Sequence, residues 1–300
     1  MIELSGIAII GSGGIGGYLA GALARGGHRP TLCVRTAFDR LEVTEGGETR
    51  AVEVPVAADP AAVGPVRWVL LTTKAQDIPG AAPWLATLAG PGTTVAVIQN
   101  GVDHARRAAP YLPPGAALLP TIIYCAVERT APGRIVHHGG ARMHVPADEQ
   151  GGAFAEIFAG SGFEIVREAD FVTTAWRKLL SNAVANAITA LTLRRMTVFT
   201  EAAVQALARD LMTEVIAVAR AEGARIAAED GERILASYAR MGRGGSSMLY
   251  DRLAGRPLEH DFISGAVVEA AGRHGIDVPL NRAVLALLVG ASGHPLDGSA

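Results

Sequence analysis

The chain has 300 residues, which at about 150 per domain predicts two domains and excludes a small disulfide-stapled module. Hydrophobic residues make up 49% and charged residues 19%, and 27 basic against 29 acidic side chains give a net charge of -2. That balance describes a soluble globular protein, with no basic excess to suggest nucleic acid or anionic lipid as a partner.

In chain order, Gly6-Ile7-Ala8-Ile9-Ile10 reads as a buried strand, followed by a helical run over Tyr18 to Arg25 and further strands at Thr31 to Val34, Arg67 to Leu71 and Thr94 to Ile98. Short β-branched runs alternating with helical stretches predict a parallel sheet wrapped by helices. Between Leu41 and Val56 the pattern turns alternating, and Glu45-Gly46-Gly47-Glu48 predicts a hairpin inserted after the second strand. Strand-like runs from Ala116 to Val145 and at Gly162 to Val166 are expected to extend the sheet at its edge. After Asp170 the period becomes helical, over Phe171 to Leu193, Val198 to Ala221, Gly231 to Arg240, Asp261 to His274 and Asn281 to Val289. The expected division is a dinucleotide-binding domain over 1–168 and an all-helical domain over 169–300. The tail from Gly293 to Ala300 is expected to be loose.

Cys33 and Cys125 sit in apolar strand-like runs without a CxxC pair or a nearby His, which predicts reduced, buried thiols and no metal site. The start Met1-Ile2-Glu3-Leu4 lacks a basic leader, and the longest apolar runs fall short of the ~20 residues of a membrane span. A cytoplasmic location, with no membrane partner, is the expectation.

Gly11-Ser12-Gly13-Gly14-Ile15-Gly16 matches G-x-G-x-x-G between a strand and a helix. Gly11 permits the sharp turn, Gly13 removes a Cβ where a pyrophosphate approaches, Gly16 permits close helix–strand packing, and the helix N-terminus offers N–H donors to the anion. Arg35, 19 positions after Gly16, stands where an NAD site presents an acid to the ribose. A guanidinium there suits a 2′-phosphate, with Arg40 as an assistant, so NADPH is the expected cofactor. Ligands of open α/β sheets lie outside the carboxyl ends of the strands, which brings forward two more residues. Lys74, after Val69-Leu70-Leu71-Thr72-Thr73, suits an anion, and Asn100, in Gln99-Asn100-Gly101, suits a ribose or a reacting oxygen, although Asn-Gly is also a common turn pair.

In Trp176-Arg177-Lys178-Leu179-Leu180-Ser181-Asn182-Ala183-Val184-Ala185-Asn186, the residues Lys178, Asn182 and Asn186 recur every four positions along about 12 Å of one helix face. Polar groups on an otherwise apolar helix need either a wet cleft or an internal polar network. If a nicotinamide delivers hydride to a ketone, the developing alkoxide needs a proton, and Lys178 is the candidate general acid. None of the 8 histidines sits in a comparable constellation; His28, His137 and His138 read as satisfied or surface side chains. Gly244-Gly245-Ser246-Ser247 reads as a glycine hinge and a serine helix cap, with Ser247 able both to cap and to bind a carboxylate. Glu259 is either a surface acid or the carboxylate paired with Lys178.

Taken together, these residues resemble the ketopantoate reductases (2-dehydropantoate 2-reductases). The likeness lies in the glycine loop, Arg35, Lys74, Gln99-Asn100-Gly101, Trp176-x-Lys178 with Asn182 and Asn186, Ser246-Ser247-Met248-Leu249-x-Asp251 and Gly255-Arg256-Pro257-Leu258-Glu259. The resemblance implies a Rossmann domain, a helical domain, an active site in the cleft between them, and NADPH-dependent reduction of 2-dehydropantoate on the route to pantothenate. It implies Lys178 as general acid, Glu259 as the residue that orients it or contacts substrate, and Asn100, Asn182, Asn186 and Ser247 as substrate or cofactor contacts. Tyr250 stands where that family often has Gln, and Ser264 where Asn is expected. The alternatives are a reductase of another 2-oxo acid with the same mechanism, and a noncatalytic NADPH-binding sensor. The apolar helices leave room for a homodimer.

Overall fold

The computed structural model describes residues 4–242 and 244–292; the tail from Gly293, expected to be loose, lies outside them, as do Arg243 and residues 1–3. The chain divides into two compact units. One runs to Gln99 and resumes at Asp103–Phe171; the other is the chain from Val172 together with Asn100–Val102.

In the first unit, β1 (Ile7–Ile10), β2 (Thr31–Cys33), β5 (Val56–Ala57), β6 (Trp68–Leu71), β7 (Thr94–Ile98) and the start of β8 (Ala117–Ala131) lie parallel in the order β5-β2-β1-β6-β7-β8. This is the doubly wound order of dinucleotide-binding sheets. Both faces are covered, so the strands read as continuous apolar runs whose side chains alternate between two cores. Ile7, Ile9, Trp68, Leu70, Ala96 and Ile98 face one core, with Leu19 and Leu23 of α1 (Gly14–Arg25). Ala8, Ile10, Val69, Leu71, Val95 and Val97 face the other, with Trp84 and Leu85 of α2 (Ile78–Leu88). The short α3 (His104–Ala108) links β7 to β8.

The hairpin of β3 (Leu41–Glu45) and β4 (Glu48–Val52) turns at Gly46 and Gly47, both at positive φ, as a two-residue hairpin turn requires. It does more than decorate a crossover. β3 pairs in parallel with β9 (Arg134–Pro146), which is antiparallel to β8, while β10 (Glu164–Glu168) runs beside β9, so the hairpin and both late strands extend one sheet. Phe154 of α4 (Glu149–Ile157), with Phe158 and Phe163, fills the core beneath. Glu45 ties the extension to α1, accepting from Tyr18 Oη at 2.6 Å and Arg25 Nη1 at 3.0 Å, with His137 Nδ1 at 2.8 Å. The Tyr18 hydrogen bond outweighs partial burial and, with Arg25 and His137, holds the Glu45 carboxyl below the usual carboxylate range. Burial, then the Glu45 carboxylate, pushes the Tyr18 phenol up.

The second unit is helical: α5 (Phe171–Thr192), α6 (Ala202–Ala221), α7 (Ala228–Arg240), α8 (Ser247–Leu253), α9 (Ser264–His274) and α10 (Pro279–Ala291). Leu179, Leu180, Ala183, Val184 and Ala187 of α5 are buried in one core with Phe199, Leu211, Val215, Tyr238, Val267 and Leu288. Tyr238 Oη donates to the Ser181 carbonyl at 2.7 Å, so this buried phenol is satisfied. Glu214 of α6 accepts from the Leu280 and Asn281 N–H groups at 3.0 and 2.9 Å, capping the first turn of α10 from a neighbouring helix.

Two helices start later than expected. The helix read from Val198 begins at Ala202, because Met196–Thr200 form a 3₁₀ turn whose Val198 and Phe199 are buried, and extended Glu201 (φ -84°, ψ 130°) separates the two. The helix read from Asp261 begins at Ser264: His260–Phe262 make a 3₁₀ turn, and buried Ile263 leaves helical geometry at φ -113°, ψ -80°. Among the described residues no helix is long and apolar enough to cross a membrane, and no cluster of His, Cys, Asp and Glu could hold a metal ion. Both cysteines are free; Cys33 is buried, its thiol pushed up to about 12 by burial, whereas Cys125 is only half-buried because its strand bulges where β8 meets Gly139 and Gly140.

Candidate active site

The glycine loop leaves β1 at Ile10. Gly11 has φ +105°, which only glycine adopts without strain, and an added Cβ would sit 3.1 Å from the Thr73 amide nitrogen. A Cβ at Gly16 would lie 1.9 Å from the Gly11 carbonyl oxygen, so this position fixes helix α1 against the loop. Gly13 differs: its backbone is extended (φ -68°, ψ -173°), and an added Cβ would meet nothing within 4 Å. The space beside Gly13 is open, and α1 begins there with no side-chain cap and no acid in its first turn. Free N–H donors, a positive helix end and bare backbone fit a pyrophosphate. Ser12, Gly14 and Ile15 are half-buried in the same turn, with Ile15 packed on the α1-side core.

Arg35, past the end of β2, is exposed and pairs with no acid among the described residues, which leaves its guanidinium available to a phosphate. Arg40 is 3.8 Å from Glu42 and lines a cavity of about 570 Å³ with Arg29, Asp39 and Glu53; neither Arg35 nor the glycine loop lines that cavity. Lys74 is half-buried at the start of a 3₁₀ turn, Ala75–Asp77, just past β6.

Asn100 follows β7 and precedes Gly101, whose φ of +95° makes the turn. Its amide bridges two of the other expected residues. Asn182 Nδ2 donates to Asn100 Oδ1 at 3.4 Å, and Asn100 Nδ2 donates to Glu259 Oε2 at 3.0 Å. Three residues spread over the sequence thus form one chain of hydrogen bonds, ending on a carboxylate that is 4% exposed. Lys178, half-buried, lies one turn before Asn182 on α5. Asn186, one turn after it, is 4% exposed, and its Nδ2 has no hydrogen-bond partner among the described residues. A buried amide of this kind costs about 1–3 kcal/mol unless a water or ligand satisfies it.

Ser247 does not cap its helix. Ser246 does: its Oγ accepts from Leu249 N at 3.1 Å and is 2.7 Å from Thr189 Oγ1 of α5, while Ser247 is exposed at the first position of α8. Ser246 thereby packs its hydroxyl against the fully buried Thr189. Two residues without an expected role also shape the first unit's strand ends. Thr72 Oγ1 lies 3.0 Å from both the Ile10 and Gly11 carbonyls, and Gln99 Nε2 donates to the Thr73 carbonyl at 2.9 Å. A threonine or amide immediately past a strand is the only sequence signal for either.

The family described as "Ketopantoate reductase PanE/ApbA" matches residues 7–150, and its C-terminal region matches residues 170–291. The chain is 38% identical over 293 residues to a 2-dehydropantoate 2-reductase of Caulobacter vibrioides, covering 96% of this chain and 100% of that protein. It is 37% identical over 298 residues to one of Mycobacterium tuberculosis, covering 97% and 99%. It is similar in structure to a PanE/ApbA family ketopantoate reductase from Ralstonia eutropha JMP134, with a TM-score of 0.87 at 30% identity over 95% of this chain and 97% of the other.

Proposed function

Because the chain belongs to the PanE/ApbA ketopantoate reductase family, we propose that it reduces the 2-oxo group of 2-dehydropantoate to the alcohol of pantoate, with NADPH as reductant. The observation that carries this reading is the Asn182–Asn100–Glu259 chain one helical turn from Lys178.

The first unit, in this reading, binds the cofactor. Gly13 and the open first turn of α1 receive the pyrophosphate, Arg35 holds the 2′-phosphate, and Lys74 adds positive charge past β6. Bound NADPH supplies a hydride. The second unit handles the substrate and the proton. Negative charge develops on the former carbonyl oxygen, and Lys178 Nζ gives that oxygen a proton as general acid. Glu259, its orientation fixed by Asn100, orients Lys178 or the substrate, and Asn182, Asn186 and Ser247 supply polar contacts to the oxo acid. We further propose a homodimer, for which the exposed Leu287 and Val289 of α10 offer apolar surface, and a cytoplasmic location, which suits two free thiols.

The test is NADPH oxidation across a panel of 2-oxo acids, with NADH in parallel and Lys178→Ala beside the wild type. Ketopantoate should rank first by kcat/KM, NADPH should outperform NADH, and Lys178→Ala should lose turnover far more than NADPH affinity. A low rank for ketopantoate replaces the substrate, unchanged turnover in the variant removes the acid, and cofactor binding without reduction of any 2-oxo acid would leave a sensor.

A further inference from the structure

The residues past β6 and β7 carry a contact that no role given above uses. The β6–β7 ladder ends at the pair Leu71 and Val97, and beyond it the main chain of Thr73 and Lys74 has no strand beside it. The side chain of Gln99 takes over there. Its Nε2 donates to the Thr73 carbonyl at 2.9 Å, with Thr73 Oγ1 at 3.2 Å and the Lys74 carbonyl at 3.5 Å. Three acceptors around one nitrogen fix the amide's orientation, since the flipped amide would set oxygen against carbonyl oxygens. Gln99 is 7% exposed, and its own carbonyl is 2.9 Å from the ring Nε2 of His104, which is 1% exposed, so the base of the side chain is anchored too. The segment it holds is the wall of the glycine loop: Thr73 N is the nearest atom to the Cβ direction of Gly11, and Thr72 Oγ1 lies at hydrogen-bond distance from the Gly11 carbonyl.

We propose that Gln99 is a positioning residue for the cofactor, acting through the Thr73–Lys74 main chain to set Lys74 and the glycine loop in their binding geometry. The inference rests on the reading of the glycine loop as the NADPH site. Gln99→Leu removes the donor and keeps the bulk. It should raise KM for NADPH about 10-fold, the loss expected for one buried neutral hydrogen bond, and leave kcat and KM for the 2-oxo acid within about 2-fold. Gln99→Glu gives a second readout that a merely structural role would not move. Its carboxylate would repel the two carbonyls, whereas the protonated acid can donate to Thr73. Its KM for NADPH, relative to the wild type, should therefore fall as pH is lowered. Amide hydrogen exchange at residues 72–74, measured without cofactor, should rise in Gln99→Leu. An unchanged KM for NADPH in Gln99→Leu, or a parallel loss in kcat, both KM values and thermal stability, would overturn the proposal. If the variant loosens residues 72–74 as expected while wild-type protein fails to bind NADPH, the clamp stands, but its role toward the cofactor falls together with the reading it rests on.

Discussion

Replacing Gly16 by Ala should separate the loop's structural glycine from the one proposed to face the ligand. The new Cβ would stand 1.9 Å from the Gly11 carbonyl oxygen and 2.5 Å from Thr72 Oγ1. The nearest atom is backbone, so relief requires either α1 or the loop to shift by more than 1 Å, roughly the gap to an ordinary contact. Overpacking of this kind costs about 1–3 kcal/mol, and disturbing the Thr72 hydroxyl contact adds about 1 kcal/mol. A loss near 3 kcal/mol lowers Tm by about 6–12 °C for a domain of this size. Gly13→Ala is the control. Its Cβ meets no atom within 4 Å and its φ of -68° is available to alanine, so stability should stay within about 0.5 kcal/mol. NADPH affinity should still fall about 10-fold or more, because in the proposed site the methyl would occupy the approach of the pyrophosphate. Thermal unfolding and NADPH fluorescence titration read the two effects. An unshifted Tm in Gly16→Ala, or wild-type NADPH affinity in Gly13→Ala, would refute the assignment.

Two further predictions concern the second unit. Burial works to raise the Asp230 carboxyl, but the Ala227 N–H at 2.9 Å, Arg233 and Arg177 outweigh it and hold the group below the usual carboxylate range. A depressed carboxylate stabilises the fold above its unfolded pKa, about 3.9, and that contribution is lost as pH falls through the folded value. Asp230→Asn should therefore cost about 1 kcal/mol in urea unfolding at neutral pH and converge on the wild type in acid; a gap that persists at low pH would contradict the charge argument. Ser246→Ala should cost about 1 kcal/mol as a lost cap, whereas Ser247→Ala should leave stability unchanged and raise KM for the oxo acid; stability losses in the opposite order would return the cap to Ser247.

Local pattern made much of this molecule legible. Strands buried on both faces announce themselves as unbroken apolar runs, and the four-residue spacing of Lys178, Asn182 and Asn186 survives as the polar stripe of α5. What depended on distant partners was hidden. Leu41–Glu45 pairs with Arg134–Pro146 across about 90 residues of sequence, and no residue of the hairpin signals it. Ser246 and Ser247 are chemically identical, and the contact that marks Ser246, with Thr189 Oγ1 at 2.7 Å, comes from 57 residues away in sequence. The helix starts at Ala202 and Ser264 were displaced because burying Phe199 and Ile263 overrode a helical period that ran on through them. Asn100 stands out in the sequence by its place at a strand end, yet its partners lie 82 and 159 positions away.

The allocation of Asn100–Val102 to the helical unit bears on modularity. Three residues in the middle of one half are structurally owned by the other, so the polypeptide passes from unit to unit three times, at 99/100, 102/103 and 171/172. A gene cut at the last junction would yield a C-terminal cassette whose Glu259 carboxylate has lost its amide donor, and an N-terminal cassette with an orphaned loop. Recombination that swaps whole halves between relatives must therefore carry this tripeptide with the helical half, or leave Glu259 without the Asn100 amide that donates to it.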